Sequence, residues 1–94
     1  MPAIENKDDS AKVRVLIADD SLYMRRMLRQ MLEIHQDITV IDDARDGVEA
    51  VAKCISLNPD VLVLDVEMPR LDGLSVLRDI MSKRPLPVVM FSSL

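Results

Sequence analysis

The chain has 94 residues, with 12 lysines and arginines against 16 aspartates and glutamates, a net charge of −4 and a single cysteine. That length suits one small domain and leaves no room for a second, and the acidic balance, with basic residues scattered or confined to helix faces such as Arg25, Arg26 and Arg29, argues against non-specific nucleic-acid binding. One cysteine excludes an internal disulfide and any multi-cysteine metal site, and it suits a reducing compartment.

Residues 1–11 are polar, lack the apolar run of a secretory signal and read as a disordered leader ahead of a domain over 12–94. No stretch approaches the ~20 apolar residues of a membrane span, so a soluble, cytoplasmic protein without membrane contact is expected. Val13 to Ala18 is apolar throughout apart from Arg14, as a central parallel strand covered on both faces should be, and Asp19 and Asp20 follow it directly. Ser21 is a candidate N-cap. Met24, Met27, Leu28, Met31 and Leu32 then recur at i, i+3, i+4, i+7 and i+8, which predicts a first helix with this stripe in the core. Tyr23 reads as a surface residue of that helix and His35 as a polar group at its end.

Ile38 to Ile41, interrupted by Thr39, predicts an edge strand, and Asp42, Asp43 and Asp46 read as a solvated turn and helix cap. Val48, Val51, Ala52 and Ile55 form the second helical face, with Cys54 a small core or surface residue beside them, and Asn58-Pro59 ends it. Val61 to Leu64 is the next apolar strand and Asp65 follows it. Asp72-Gly73 opens a third helix marked by Leu74, Leu77, Ile80 and Met81 and stopped by Pro85. Pro87 to Phe91 gives a fourth strand, its proline at the position where a missing N–H matters least.

The order βαβαβαβ predicts an α/β fold, a doubly wound parallel sheet with right-handed crossovers that binds ligands at the carboxyl ends of its strands. Asp19, Asp20, Asp65 and Ser92 all fall at those ends, so polar residues from three strands converge on one rim. Carboxylates a few ångströms apart cannot all stay ionised in a partly dry site unless a divalent cation joins them. Taken alone, Asp19-Asp20-Ser21 is equally a helix cap; Asp65 at the neighbouring strand end favours the functional reading.

The segments Leu16-Ile17-Ala18-Asp19-Asp20-Ser21, Leu64-Asp65-Val66-Glu67-Met68-Pro69, Leu71-Asp72-Gly73 and Val89-Met90-Phe91-Ser92-Ser93 resemble a response-regulator receiver domain from about Val13 to the end of the chain. The run from Asp65 to Leu74 and that from Pro87 to Leu94 are similar to the regulatory domain of chemotaxis protein-glutamate methylesterases. The resemblance implies a flavodoxin-like sheet, a phosphohistidine on a sensor histidine kinase as donor, and Asp65 as phosphoacceptor. It implies Mg²⁺ held directly by Asp20, through water by Asp19, and by Asp65 and the backbone carbonyl of Glu67. Ser92 would hydrogen-bond the phosphoryl group, with the register between Ser92 and Ser93 open. The family's fifth strand with its lysine, the last two helices and a downstream methylesterase domain have no counterpart here, so a partial receiver domain is expected.

No G-x-S-x-G elbow accompanies the motifs, so the chain itself is not read as the esterase. Two other classes stand beside the receiver reading. One is an interaction module that self-associates through apolar surface near Val15, Val63 and Val89. The other is an aspartyl-phosphate phosphatase, which would carry its nucleophile on the first strand. Two glycines cannot form a glycine-rich nucleotide loop.

Overall fold

The computed structural model describes residues 12–92, so the expected leader over 1–11 and Ser93 lie outside the described residues. The elements follow as β1 Val13–Ala18, α1 Leu22–Glu33, β2 Ile38–Ala44, α2 Gly47–Leu57, β3 Val61–Asp65, α3 Gly73–Lys83 and β4 Val88–Phe91. All pairings are parallel and the four strands run in the order β2-β1-β3-β4, so β1 and β3 are central. The predicted α/β class and doubly wound order are what the chain adopts. Among these residues no helix is long and apolar enough to cross a membrane.

Strand alternation divides the core between the two faces of the sheet. Val15, Ile17 and Val40 form one cluster, joined by Ile38, Val61, Val63 and the α1 residues Leu28 and Leu32. Leu16, Ala18, Ala44, Leu62 and Leu64 face the other way, against Ala50, Val51 and Cys54 of α2 and Val76 and Ile80 of α3. One helix therefore covers the first face and two cover the second.

Three expectations about packing are corrected. No residue of α1 is fully buried, and Met31 is 56 % exposed, because only Leu28 and Leu32 reach the sheet cluster. On α2 the buried face is Gly47, Ala50, Val51 and Cys54, whereas Val48, Ala52 and Ile55 are exposed. The helix lies so close to its neighbours that small side chains point inward, which reverses the usual link between size and burial. On α3, Gly73, Val76 and Ile80 are buried while Leu74 is 60 % exposed. Cys54 is fully buried, and burial pushes its thiol up to about 11.

β2 also runs beyond the expected end at Ile41 to include Asp42 and Asp43. These acids are not a solvated turn. Lys53 Nζ lies 3.0 Å from Asp42 Oδ2 and donates to the Asp43 carbonyl at 2.6 Å, while Arg25 Nε lies 3.3 Å from Asp43 Oδ2. Burial raises the Asp42 carboxyl, but the Asp43 amide and Lys53 outweigh it and hold the group below the usual range. The pairing shifts register between Val15 and Leu16, where Val15 pairs with Val40 and Leu16 with Asp42, leaving Ile41 as a bulge.

The helix starts follow the sequence. Ser21, Asp46 and Asp72 are N-caps whose side chains accept from the amides of Met24, Glu49 and Ser75. Asn58 closes α2 in the left-handed region at φ 55, which asparagine tolerates, and Arg14 donates to the carbonyls of Asn58 and Leu57 at 2.7 and 3.0 Å. Arg14, the one polar interruption in the first strand, is thus an anchor for the end of α2.

Gly47 abuts the β3–α3 loop. A Cβ there would collide with the Leu71 carbonyl oxygen and lie 2.6 Å from its Cβ. Helix propensity alone favours alanine over glycine by about 1 kcal/mol, whereas overpacking a rigid contact costs about 1–3 kcal/mol. The contact is largely backbone and cannot move aside, so Gly47→Ala is expected to lower stability in urea denaturation; a gain would show that the loop yields.

Candidate functional site

Asp19, Asp20 and Asp65 converge at the carboxyl ends of β1 and β3, each offering a carboxylate oxygen within 4.8 Å of the others. β1 and β3 are adjacent, with Ala18 paired to Leu64, so the residues that follow each partner are neighbours. Asp19 and Asp65 are buried at 1 and 0 % exposure, whereas Asp20 faces solvent. The site therefore has two enclosed carboxylates and one at the mouth.

Local hydrogen bonds hold this arrangement. The Asp19 amide continues the sheet by donating to Ala44 O at 3.0 Å, and its carboxylate Oδ1 accepts the Ser21 amide at 2.8 Å. Asp65 Oδ1 accepts the amide of Glu67 at 3.1 Å, turning the chain sharply after β3. Val66 then donates to Phe91 O at 2.9 Å and accepts from Gly73 N at 2.9 Å, so the strand end is tied to both β4 and the start of α3. A Cβ on Gly73 would lie 2.6 Å from Asp65 O and 2.7 Å from Val66 Cα, so only glycine lets α3 begin this close to the acid.

Burial pushes the Asp19 carboxyl above its usual range; the Ser21 amide opposes the shift, and the charges of Asp65 and Asp20 add to it. Its second oxygen, Oδ2, is buried without a hydrogen-bond partner. A buried acceptor left unpaired beside two further carboxylates is what a cation would relieve. The donors are all oxygen and few in number, which fits a small hard divalent ion better than a soft or nitrogen-seeking one.

The remaining expected residues fall around this cluster. Glu67 is exposed and, with Asp20, Val66, Met68, Pro69, Asp72 and Leu74, bounds an open hollow of about 550 Å³ beside the acids. Ser92 directly follows Phe91, the register partner of Asp65, and so stands at the same rim. A second hollow of about 540 Å³, lined by Lys12, Glu33, His35, Gln36, Ile38 and Thr39, opens beside the amino end of β1 and plays no part in this chemistry. His35 and Tyr23 are both exposed.

Two arginines near the site were not legible as such. Arg25, read as a helix-surface residue, donates from Nη1 to the Asp19 carbonyl at 2.8 Å. Its signal was position: residues 25, 28 and 32 share one helical face, and Leu28 and Leu32 pack on the sheet. Arg70 adopts φ 73 in the β3–α3 loop, an unusual value for this residue type, with Nε 3.8 Å from Asp46 Oδ2.

A family model for the response regulator receiver domain matches residues 15–94. The protein-glutamate methylesterase/protein-glutamine glutaminase of Caldanaerobacter subterraneus is 57% identical over 83 residues, which are 88% of this chain and 23% of the relative. The corresponding protein of Pyrococcus abyssi is 48% identical over 83 residues, again 88% of this chain and 23% of the relative. The chain thus spans only about a quarter of the length of the curated relatives it matches. The response regulator domain of Thermotoga maritima CheB superposes with a TM-score of 0.85 at 47% identity, covering 88% of this chain and 62% of that one. A chain in the CheX–CheY–BeF3–Mg²⁺ complex of Borrelia burgdorferi gives 0.78 at 38% identity, covering 86% and 62%.

The crowding of carboxylates has a measurable sign. Asp19→Asn keeps an oxygen for the Ser21 amide and turns the unpaired acceptor into a donor toward its acidic neighbours. In the absence of divalent ions it is expected to raise stability at neutral pH by about 1 kcal/mol, ~4–8 °C in Tm for a domain of this size. Because the folded-state carboxyl sits above its unfolded value, the wild type loses stability as pH rises through the folded value. The advantage of the variant should therefore vanish once the medium is acid enough to protonate the unfolded carboxyl as well. Thermal melts across that range, with chelator present, read both effects; an advantage that persists in acid would mean that charge is not the cause.

Proposed function

The chain belongs to the response regulator receiver domain family, and from that membership we propose that it is a phospho-accepting signalling module of the chemotaxis type, working in the cytoplasm. Asp65 takes the phosphoryl group from a phosphohistidine on a sensor histidine kinase. The observation that carries this reading is the convergence of Asp19, Asp20 and Asp65 within 4.8 Å at a rim open to solvent.

In this reading Asp20, Asp65 and the carbonyl of Glu67 would hold Mg²⁺, with Asp19 supporting it through water, which would suit an ion that keeps several waters and takes one or two carboxylates. When bound, the ion supplies the positive charge that lets an anionic nucleophile approach an anionic phosphoryl group. Asp65 attacks as a carboxylate: one oxygen donates an electron pair to phosphorus, and the bond from phosphorus to the donor imidazole nitrogen breaks. The pair leaves on that nitrogen, which takes up a proton, and an acyl phosphate remains on Asp65. The backbone ties of Asp65 and Val66 keep the nucleophile aimed, and the Ser92 hydroxyl donates to a phosphoryl oxygen. The new group brings about −1.5 to −2 charges to the rim.

The similarity to methylesterases supports a narrower role, in which the phosphorylated state of this domain governs an attached domain that hydrolyses protein-glutamate methyl esters. A phosphorylation-independent role as a self-associating module is favoured by one observation: Val89, on the outermost described strand, is 55 % exposed. Val15 and Val63 no longer support it, since Val15 is buried and Val63 packs in the α1-side cluster. A concentration-independent monomer in sedimentation velocity would remove that reading.

Acetyl phosphate with Mg²⁺ is expected to leave an acid-stable, base-labile adduct on Asp65, detected by mass spectrometry. Chelator should abolish it, and Asp65→Asn should do so without loss of helical circular dichroism. Label that persists in Asp65→Asn would place the acceptor elsewhere. Mg²⁺ alone should raise the Tm of the wild type and leave that of Asp19→Asn, Asp20→Asn much less changed.

A further inference from the structure

Asp20 is the exposed member of the cluster, yet the peptide groups on both sides of it are fixed. On its amino side the Asp19 carbonyl accepts from Arg25 Nη1 at 2.8 Å, and on its carboxyl side the Ser21 amide donates to Asp19 Oδ1 at 2.8 Å. With both peptide planes held, little besides side-chain torsion remains free at Asp20.

Arg25 is itself braced. Its side chain is 12% exposed, and Nε lies 3.3 Å from Asp43 Oδ2 as an ion pair without the alignment of a hydrogen bond. Asp43 reaches α1 only because of the bulge in β2. Unbroken alternation would place Val40 and Ala44 on one face, but Val40 belongs to the α1-side cluster and Ala44 to the opposite one. The extra residue, Ile41, reverses the phase, sending Asp43 toward Arg25 and Asp42 toward Lys53.

We infer that Arg25 is a positioning residue for the cation site: braced by Asp43 on β2, it fixes the peptide between Asp19 and Asp20 and so presets the Asp20 carboxylate for a hard divalent ion. The inference rests on the reading of the acids as such a site. Arginine suits the task because its planar fork serves two acceptors at once, whereas a lysine ammonium is a single point donor. Groups that orient metal ligands without touching the metal typically contribute about 10–100-fold to affinity.

The test titrates Mg²⁺ into the 94-residue protein and follows the amide resonances of Asp20 and Ser21 by NMR. Arg25→Ala, Arg25→Lys and Arg14→Ala are compared with wild type. Arg14 ties β1 to the end of α2, far from the acids, so its variant loses a comparable anchor without touching the site. Arg25→Ala should weaken Mg²⁺ binding by about 10-fold. Arg25→Lys, still able to donate to the Asp19 carbonyl, should lose less, and Arg14→Ala should bind as wild type does at any loss of Tm. Wild-type affinity in both Arg25 variants would overturn the inference alone, as would an equal weakening in Arg14→Ala, which would make the effect one of general stability. Should Arg25→Ala fail to fold, the lysine variant decides. No saturable shift in the wild type would defeat the cation reading and this inference together.

Discussion

Mutual repulsion among Asp19, Asp20 and Asp65 is the constraint around which the rim is built. Like charges this close favour protonation or separation; burial pushes Asp19 toward the first, and the fixed backbones oppose the second. Two of the three are buried, and their backbones are fixed by the sheet and by the turns that follow it. The crowding is a stored cost, offset elsewhere by a core in which Leu16, Ile17, Leu62 and Leu64 are fully buried directly before the acids. Apolar strands that end in carboxylates are thus one device: the first part provides the rigidity that the second requires.

The two faces of the sheet serve the rim differently. On the α2 and α3 side, small residues and glycines bring helices against the loop after Asp65, so the end of β3 is clamped by backbone contact. On the α1 side the closest ties are side chains, with Arg25 reaching across to Asp19 and Asp43. Asp65 is consequently held by close packing and main-chain hydrogen bonds, and Asp20 by side-chain hydrogen bonds and charge. Substitutions near the two acids should therefore fail in different ways.

Much of this was legible from order and chemistry. The alternation of apolar runs with helical periods gave every element, the caps Ser21, Asp46 and Asp72 were readable from residue type, and the three acids were found from their place at strand ends. What escaped depends on distance in space. Periodicity assumes that large apolar side chains point inward, and on α2 Gly47, Ala50 and Cys54 do so instead because the helix sits too close for Val48 or Ile55. Asp42 and Asp43 looked like a turn because their partners, Lys53 and Arg25, lie eleven and eighteen positions away in sequence and on opposite faces of the sheet. A bulge leaves no composition signal of its own.

The glycine contacts at either end of the loop after Asp65 carry one more implication. Gly47 meets Leu71 and Gly73 meets Asp65 and Val66 largely through main-chain atoms, so these joints contain no rotamers able to soak up a small displacement. A shift of the strand end by even a fraction of an ångström would have to be passed on as bodily movement of α3 or α2. Stiff hinges of this kind act as levers, and they point any mechanical response of the rim toward the outer surface of those two helices.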